Sequence, residues 1–467
     1  MEKLLQINNI TQIELISYFS SEIFCLLGIL INVSMFLFLT RKFNIKRLSD
    51  LITFGAFSIS SLICIGIFIK NKIVFEDFGF SLMNENLLFN NSIFFLKGLI
   101  YAFFACFVLC TYKLTRNARF KGTISNSSLL FCAITSSILL NIQNGIIGFL
   151  FLDLIAFYIY KFASSLRIKK YELFSPDFIL IGATSTILFY SFCLLSYFIK
   201  QELQLSIIQT CATCALLLKI GLFPIYNYTL NQNAKKNLAY SMLLFGFLPY
   251  IGVFAFIKFM QHVNTTNEIF LISIYIFLLS TIITSALNII KTKNLITYGA
   301  NLSILNCSFY AIVVLFTQNY QPCINSLILS LFVTFAFYSL ITILKINLKP
   351  EKLNMALLQN LFIKNPLFCN LFTLILLFSA NVVPNYLFFN NLEHLKEIYT
   401  FDKIGFWAVS IFLFSNVLII LKTLNIIRFC YTKKKFFKVS TQLTKRTTPN
   451  YVVPIAIILL LILLLFL

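Results

Sequence analysis

Lys219 stands inside CALLLKIGLFPIYNY (214–228), an otherwise apolar run, and Gly221 and Pro224 follow it closely. An ammonium group at the centre of a bilayer costs about 2.5–3.5 kcal/mol on insertion scales, so its presence points to a partner or a pathway. Asp153 is the candidate counter-charge, in GFLFLDLIAFYIY (148–160), where no neighbouring polar residue accounts for it. Two buried ions of opposite sign favour each other's charged form, so such a pair can be switched by a proton. It can equally be a static bridge that fixes helix packing.

Pro224 removes a backbone donor and clashes with the preceding turn, so it predicts a break after Lys219. A second break is predicted at Pro384, in FSANVVPNYLFFNN (378–391). Matching interruptions in two halves of a chain mark inverted-repeat transporters, whose ion sites lie where the helices unwind, although isolated prolines also occur in ordinary membrane helices. A third polar segment, ALNIIKTKNLITYGANLSI (286–304), brings Lys291, Lys293 and Tyr298 to the start of a span, or is simply a basic loop leading into one.

The elements that must position these residues follow from composition. Hydrophobic residues make up 59% of the chain and charged residues 11%, with a mean hydropathy of +0.89. Apolar runs of bilayer length recur throughout, which predicts an all-α polytopic membrane protein of about fourteen spans. The twelve cysteines lie mostly within these runs at irregular spacing, with Cys211 and Cys214 the one CxxC spacing and itself inside an apolar run, so they read as small buried hydrophobes. With only His262 and His394 available, a histidine-based metal or haem site is not expected.

The net charge of +21 is distributed as membrane anchors. Connections after odd-numbered spans are basic, among them RKFNIKR (41–47), KLTRNARFK (113–121), Lys235 with Lys236, and TKKKFFK (432–438). Those after even-numbered spans are neutral or mixed, as in NIQNG (141–145). The positive-inside rule places the odd loops in the cytoplasm or matrix and both termini on the opposite side. The scatter argues against a nucleic-acid-binding face, which would be contiguous. MEKLLQINNITQIE is polar and the first apolar run is span-length, so no cleavable signal peptide is expected. Abundant Phe, Ile, Asn and Lys would suit an A+T-rich organelle genome.

Several segments together resemble one family. LLLKIGLFPIYNY is similar to the KxGxxPxHxW signature of the antiporter-like membrane subunits of respiratory complex I, with Tyr226 where the signature has histidine. FLFLDLIAFYIY resembles their helix 5 segment around a key glutamate, and KTKNLITYG resembles their LKRLLAYSS stretch. FWAVSIFLFSNVLIILKTLNIIRFCY (406–431) is similar to helix 13 of NADH dehydrogenase subunit 2. KIG and FLFLDL favour subunit 2 over subunit 4, while GFLPYIGVFAFIKF (246–259) lies on subunit 4 almost as well.

The resemblance implies two inverted five-helix repeats, spans 4–8 and 9–13, with broken helices at spans 7 and 12. The domains would be a three-helix segment at 1–122, repeats at 123–262 and 263–430, and a basic loop with a last helix at 431–467. It further implies a proton path with Lys219 as the helix 7 lysine and Asp153 for the helix 5 glutamate. Tyr250 and Asn391 would stand where the family has lysines in helices 8 and 12, with Lys293 and His394 as further members and Glu393 and Lys396 nearby.

The implied setting is the mitochondrial inner membrane, with the termini in the intermembrane space. Partners would be other membrane-arm and accessory subunits of complex I, and anionic lipids such as cardiolipin. NADH, FMN, iron-sulfur clusters and ubiquinone would be bound by other subunits and no cofactor by this chain. A subunit 4-like protein, a scaffold subunit that has lost conduction, and a stand-alone cation/proton antiporter are the alternatives.

Overall fold

The computed structural model describes residues 17–38, 45–74, 79–82, 87–115, 122–165, 176–198, 202–222, 238–261, 263, 268–316, 320–348, 353–359, 361–382, 386–400 and 402–432. Outside them lie His262, Pro224, Tyr226, Pro384, most of the basic loops and the fourteenth predicted span. Nearly all described residues are helical, as an apolar environment requires, since a helix satisfies its backbone donors and acceptors within one segment. The helices fall into two compact units, residues 1–173 and 174–467.

The first unit contains α1 (Ser20–Phe38), α2 (Ile45–Val74), α3 (Asn91–Thr115), α4 (Gly122–Asn141) and α5 (Gly145–Ser165). Between α2 and α3 runs an antiparallel hairpin, β1 (Gly79–Leu82) and β2 (Leu87–Asn90), which the helical pattern did not call for. Helices α2 and α3 approach closely because Gly98 has no side chain: a Cβ there would lie 2.9 Å from Ile65 Cγ1. Ser61 on α2 donates to the Gly98 carbonyl at 2.8 Å across the same contact.

The second unit contains α6 (Pro176–Phe198), α7 (Glu202–Ile220), α8 (Leu238–Met260), α9 (Glu268–Lys291), α10 (Leu295–Phe316) and α11 (Tyr320–Leu348). Then follow α12 (Pro366–Ser379), α13 (Tyr386–Tyr399) and α14 (Asp402–Tyr431). Pro249 interrupts α8, splitting it into Leu238–Gly246 and Leu248–Met260. Among the described residues nine helices are long and apolar enough to cross a membrane, and Ser20–Met35, Gly182–Phe198, Gln204–Ile220 and Pro366–Ser379 are shorter apolar helices. Every predicted span before the fourteenth falls on one of these helices.

Helices α8, α10 and α11 are buried almost all round, while α14 exposes much of its apolar surface. The former make a polar-bearing core and the latter presents Phe406, Trp407 and Phe414 outward, as a lipid-facing helix does.

Candidate functional site

Lys219 occupies the last turn of α7, where the open carbonyls of the helix favour a cation. The helix ends on Gly221, whose φ of 89° is the left-handed conformation glycine adopts without steric cost. Leu222 N–H donates back to Leu217 at 2.9 Å and Gly221 N–H to Leu218 at 3.2 Å, which together form a Schellman termination. The Leu222 carbonyl, left over at the break, accepts from buried Thr281 on α9 at 2.8 Å. A neighbouring hydroxyl thus satisfies backbone that unwinding frees in an apolar setting.

The end of α12 repeats this pattern. Asn381, at φ 52°, takes the place of Gly221, with Val382 N–H donating to Leu377 at 3.1 Å and Asn381 N–H to Phe378 at 3.2 Å. Asparagine is the other residue that tolerates this conformation. In both segments a proline follows the left-handed residue at the same offset, GLFP against NVVP. In this alignment the counterpart of Lys219 is Ser379, a buried residue whose hydroxyl donates to Leu376 at 2.8 Å. The second break therefore keeps the backbone geometry and loses the cation.

Lys219 Nζ donates to the Gly182 carbonyl at 3.2 Å and to Thr186 Oγ1 at 3.1 Å, both on α6. A Cβ at Gly182 would lie 3.9 Å from Nζ, an ordinary contact, so the ammonium sits directly beside the α6 backbone. On the residue after Lys219, Ile220 packs against α8 at Gly252, where a Cβ would come within 2.6 Å of its methyl-bearing carbons.

Beyond α7, the core of the second unit holds neutral polar groups. Helix α11 carries Ser326, Ser330 and Thr334 at four-residue spacing, all buried and on one face. Tyr250 on α8 bonds Thr334 at 2.6 Å, and Ser330 and Asn306 lie within reach of the same phenol. Tyr310 on α10 donates through its hydroxyl to Asn391 Oδ1 on α13 at 3.3 Å. The adjacent Asn390 donates to Ser326 at 3.2 Å, Ser326 lies 3.4 Å from His394 Nε2, and His394 Nδ1 lies 3.7 Å from Glu397. Glu397 is half exposed, with 54% of its side-chain surface accessible, and stands beside the buried imidazole at ion-pair rather than hydrogen-bond distance.

The structure thus places Tyr250, Asn391 and His394 in three polar groups around α11 and α13: Tyr250 with Thr334, Asn391 with Tyr310, and His394 with Ser326 and Asn390. Lys293 joins none of them. That residue is exposed in the connection between α9 and α10, where its carbonyl accepts from Met355 N–H at 2.9 Å. Asp153 lies half-buried on α5 of the first unit and Lys219 on α7 of the second. Sequence reasoning missed Tyr310, Thr281, Ser379 and the hydroxyls of α11. The four-residue recurrence in INSLILSLFVTF (324–335) was the available signal for the last of these.

No protein-family model matches the sequence, and no curated protein matches it. Solved structures do match the fold. A chain of respiratory complex I from Thermus thermophilus superposes with a TM-score of 0.71 at 14% identity, covering 96% of this chain and 97% of that one. A chain of the membrane-bound sulfane sulfur reductase, an archaeal respiratory membrane complex, gives 0.75 at 13% identity over 96% and 93%. A chain of the Mrp complex from Dietzia sp. DQ12-45-1b gives 0.71 at 13% identity, over 89% and 80%. At these identities the likeness is one of fold: a multi-pass helical membrane protein built like chains of multi-subunit membrane complexes.

Proposed function

We propose that this chain is a membrane-arm subunit of a mitochondrial NADH:ubiquinone oxidoreductase, subunit 2-like, that contributes to proton translocation driven by electron transfer in other subunits. The observation that carries the reading is the set of buried polar contacts in the second unit, Tyr250 with Thr334, Tyr310 with Asn391, and Asn390 with Ser326 beside His394. Hydroxyls and amides donate and accept at once, so a row of them with intervening water can pass protons between titratable ends without itself holding charge. Lys219, at a helix break and bonded to a carbonyl and a hydroxyl, is suited to store and release a proton near one end of the unit.

The fold likeness to chains of two respiratory complexes supports an assembled rather than solitary role, and the likeness to the Mrp complex keeps the stand-alone cation/proton antiporter as an alternative. Ser379 at the position equivalent to Lys219 favours a second version, a subunit 2-like or subunit 4-like scaffold whose distal half no longer conducts. In the preferred reading the termini face the intermembrane space, other subunits hold NADH, FMN, iron-sulfur clusters and ubiquinone, and the basic loops meet anionic headgroups such as cardiolipin.

Gentle solubilisation, separation of native complexes by size and mass spectrometry of the fractions test this. Peptides of this chain that migrate with NADH-oxidising activity in a large assembly support the reading. Migration as a small oligomer overturns it in favour of the antiporter.

A further inference from the structure

The first unit contains a buried ion pair that the proton path above does not use. Lys97 on α3 is fully enclosed, and its ammonium donates to Glu22 Oε1 on α1 at 2.7 Å. The same oxygen accepts from Ser137 on α4 at 2.9 Å, and Oε2 accepts from Ser21 at 2.5 Å. Tyr101 donates to Ser137 at 3.0 Å, so a hydroxyl relay leads into the carboxylate. Over the ammonium sit the rings of Phe19, Phe89 and Phe94, with centroids at 5.9, 5.5 and 5.7 Å. Phe89 belongs to β2, so the hairpin closes the cage.

Two buried amides lie on the hairpin side of the pair. Asn141 is one turn beyond Ser137 on the same face of α4, is fully buried, and has neither its Nδ2 nor its Oδ1 paired. Asn71 lies two turns beyond Cys64 on one face of α2, is also buried, and its Nδ2 is unpaired. Leu87 of the hairpin bridges Ile142, the residue next to Asn141. Unpaired amides in a buried polar site are what ordered water satisfies, and such water needs several polar partners. A dry, static ion pair adds little to stability, so its cost points to a use.

We infer that Glu22 and Lys97 form a proton-exchange site, reached by water from the hairpin side past Asn141 and Asn71. Hydronium arriving along the water gives a proton to the Glu22 carboxylate, an O–H bond forming on Glu22 as one breaks on hydronium, which leaves as water, and Lys97 remains as the cation held by its aromatic cage. Loss of the proton to water restores the ion pair. The titratable groups facing the pair among the described residues are Cys25 on α1, Cys64 on α2 and Tyr101 on α3. Helix α4 contributes Ser137 and the hairpin contributes Phe89. The site stands independently of conduction through the second unit.

The test is pH-dependent infrared difference spectroscopy of the purified assembly containing this chain, held in lipid nanodiscs in light and heavy water. Wild type should show a protonated-carboxyl stretch that grows as pH falls, shifts in heavy water and is lost in Glu22→Gln. Should that variant not assemble because Lys97 loses its partner, Glu22→Gln combined with Lys97→Met serves as the blank, since it removes both charges. Asn141→Leu should keep the band and slow its isotope shift several-fold. A wild-type spectrum without such a band, a band that survives in the blank, or an isotope shift as fast in Asn141→Leu as in wild type overturns the proposal.

Discussion

Gly221 and Asn381 terminate α7 and α12 with the same Schellman hydrogen bonds, and among the described residues they hold the two left-handed backbone positions. The shared geometry fixes two comparable break points in one packing unit, one beside a lysine and one beside a serine. Gly221→Ala should destabilise the break by about 1–2 kcal/mol, the cost of a Cβ in the left-handed region. Asn381→Gly should be neutral or nearly so. Thermal unfolding of the two variants in detergent checks the contrast, and equal losses at both sites would contradict it.

Lys219→Ala should leave the protein assembled and should lower proton pumping, since it removes the ammonium held at the α7 break. The measurement is protons moved per electron in proteoliposomes. An unchanged stoichiometry removes Lys219 from the path.

Tyr250→Phe removes a buried hydroxyl bonded to Thr334, whose own hydroxyl still donates to the Ser330 carbonyl, so the expected stability cost is that of one hydrogen bond, about 0.5–1.5 kcal/mol. Pumping should fall together with that loss. Thr334→Val, which keeps the phenol and its reach to Ser330, should reduce pumping less. A larger defect in the valine variant would move the path away from Tyr250.

Gly252→Leu should separate α8 from α7, since even a Cβ at this position would come within 2.6 Å of Ile220. Overpacking of this kind costs about 1–3 kcal/mol. Loss of assembled protein on native gels, with Gly148→Ala as a control at a site with open space, would show the effect.

Much of the frame could be read from the chain because bilayer spans are long, apolar and separated by polar connections. The predicted breaks were legible for a similar local reason: GLFP and NVVP each join a residue that accepts a left-handed backbone to a nearby proline. The interior of the second unit was harder to read. Ser326, Ser330 and Thr334 resemble ordinary helix-filling hydroxyls until α8, α10 and α13 are packed around them, and Tyr310 acquires meaning only from Asn391. Glu22 and Lys97 lie 75 residues apart and neither segment names the other, so the pair was not read from the chain. The enclosure of Glu22 comes from the approach of α3, α4 and the hairpin.

The separation of Glu22 from Lys97 along the chain, 75 residues, sets a condition on biogenesis. Glu22 is synthesised well before its partner, and α1 leaves the ribosome with a carboxylate that has no cation yet to meet. Lys97 then arrives on a helix whose insertion alone carries the usual cost of a charge in the bilayer. Holding α1 to α3 together at the insertion machinery until the pair closes, and releasing them into lipid as a group, would remove that cost. Synthesis of the first helices is thus tied to the order in which their charges can be neutralised.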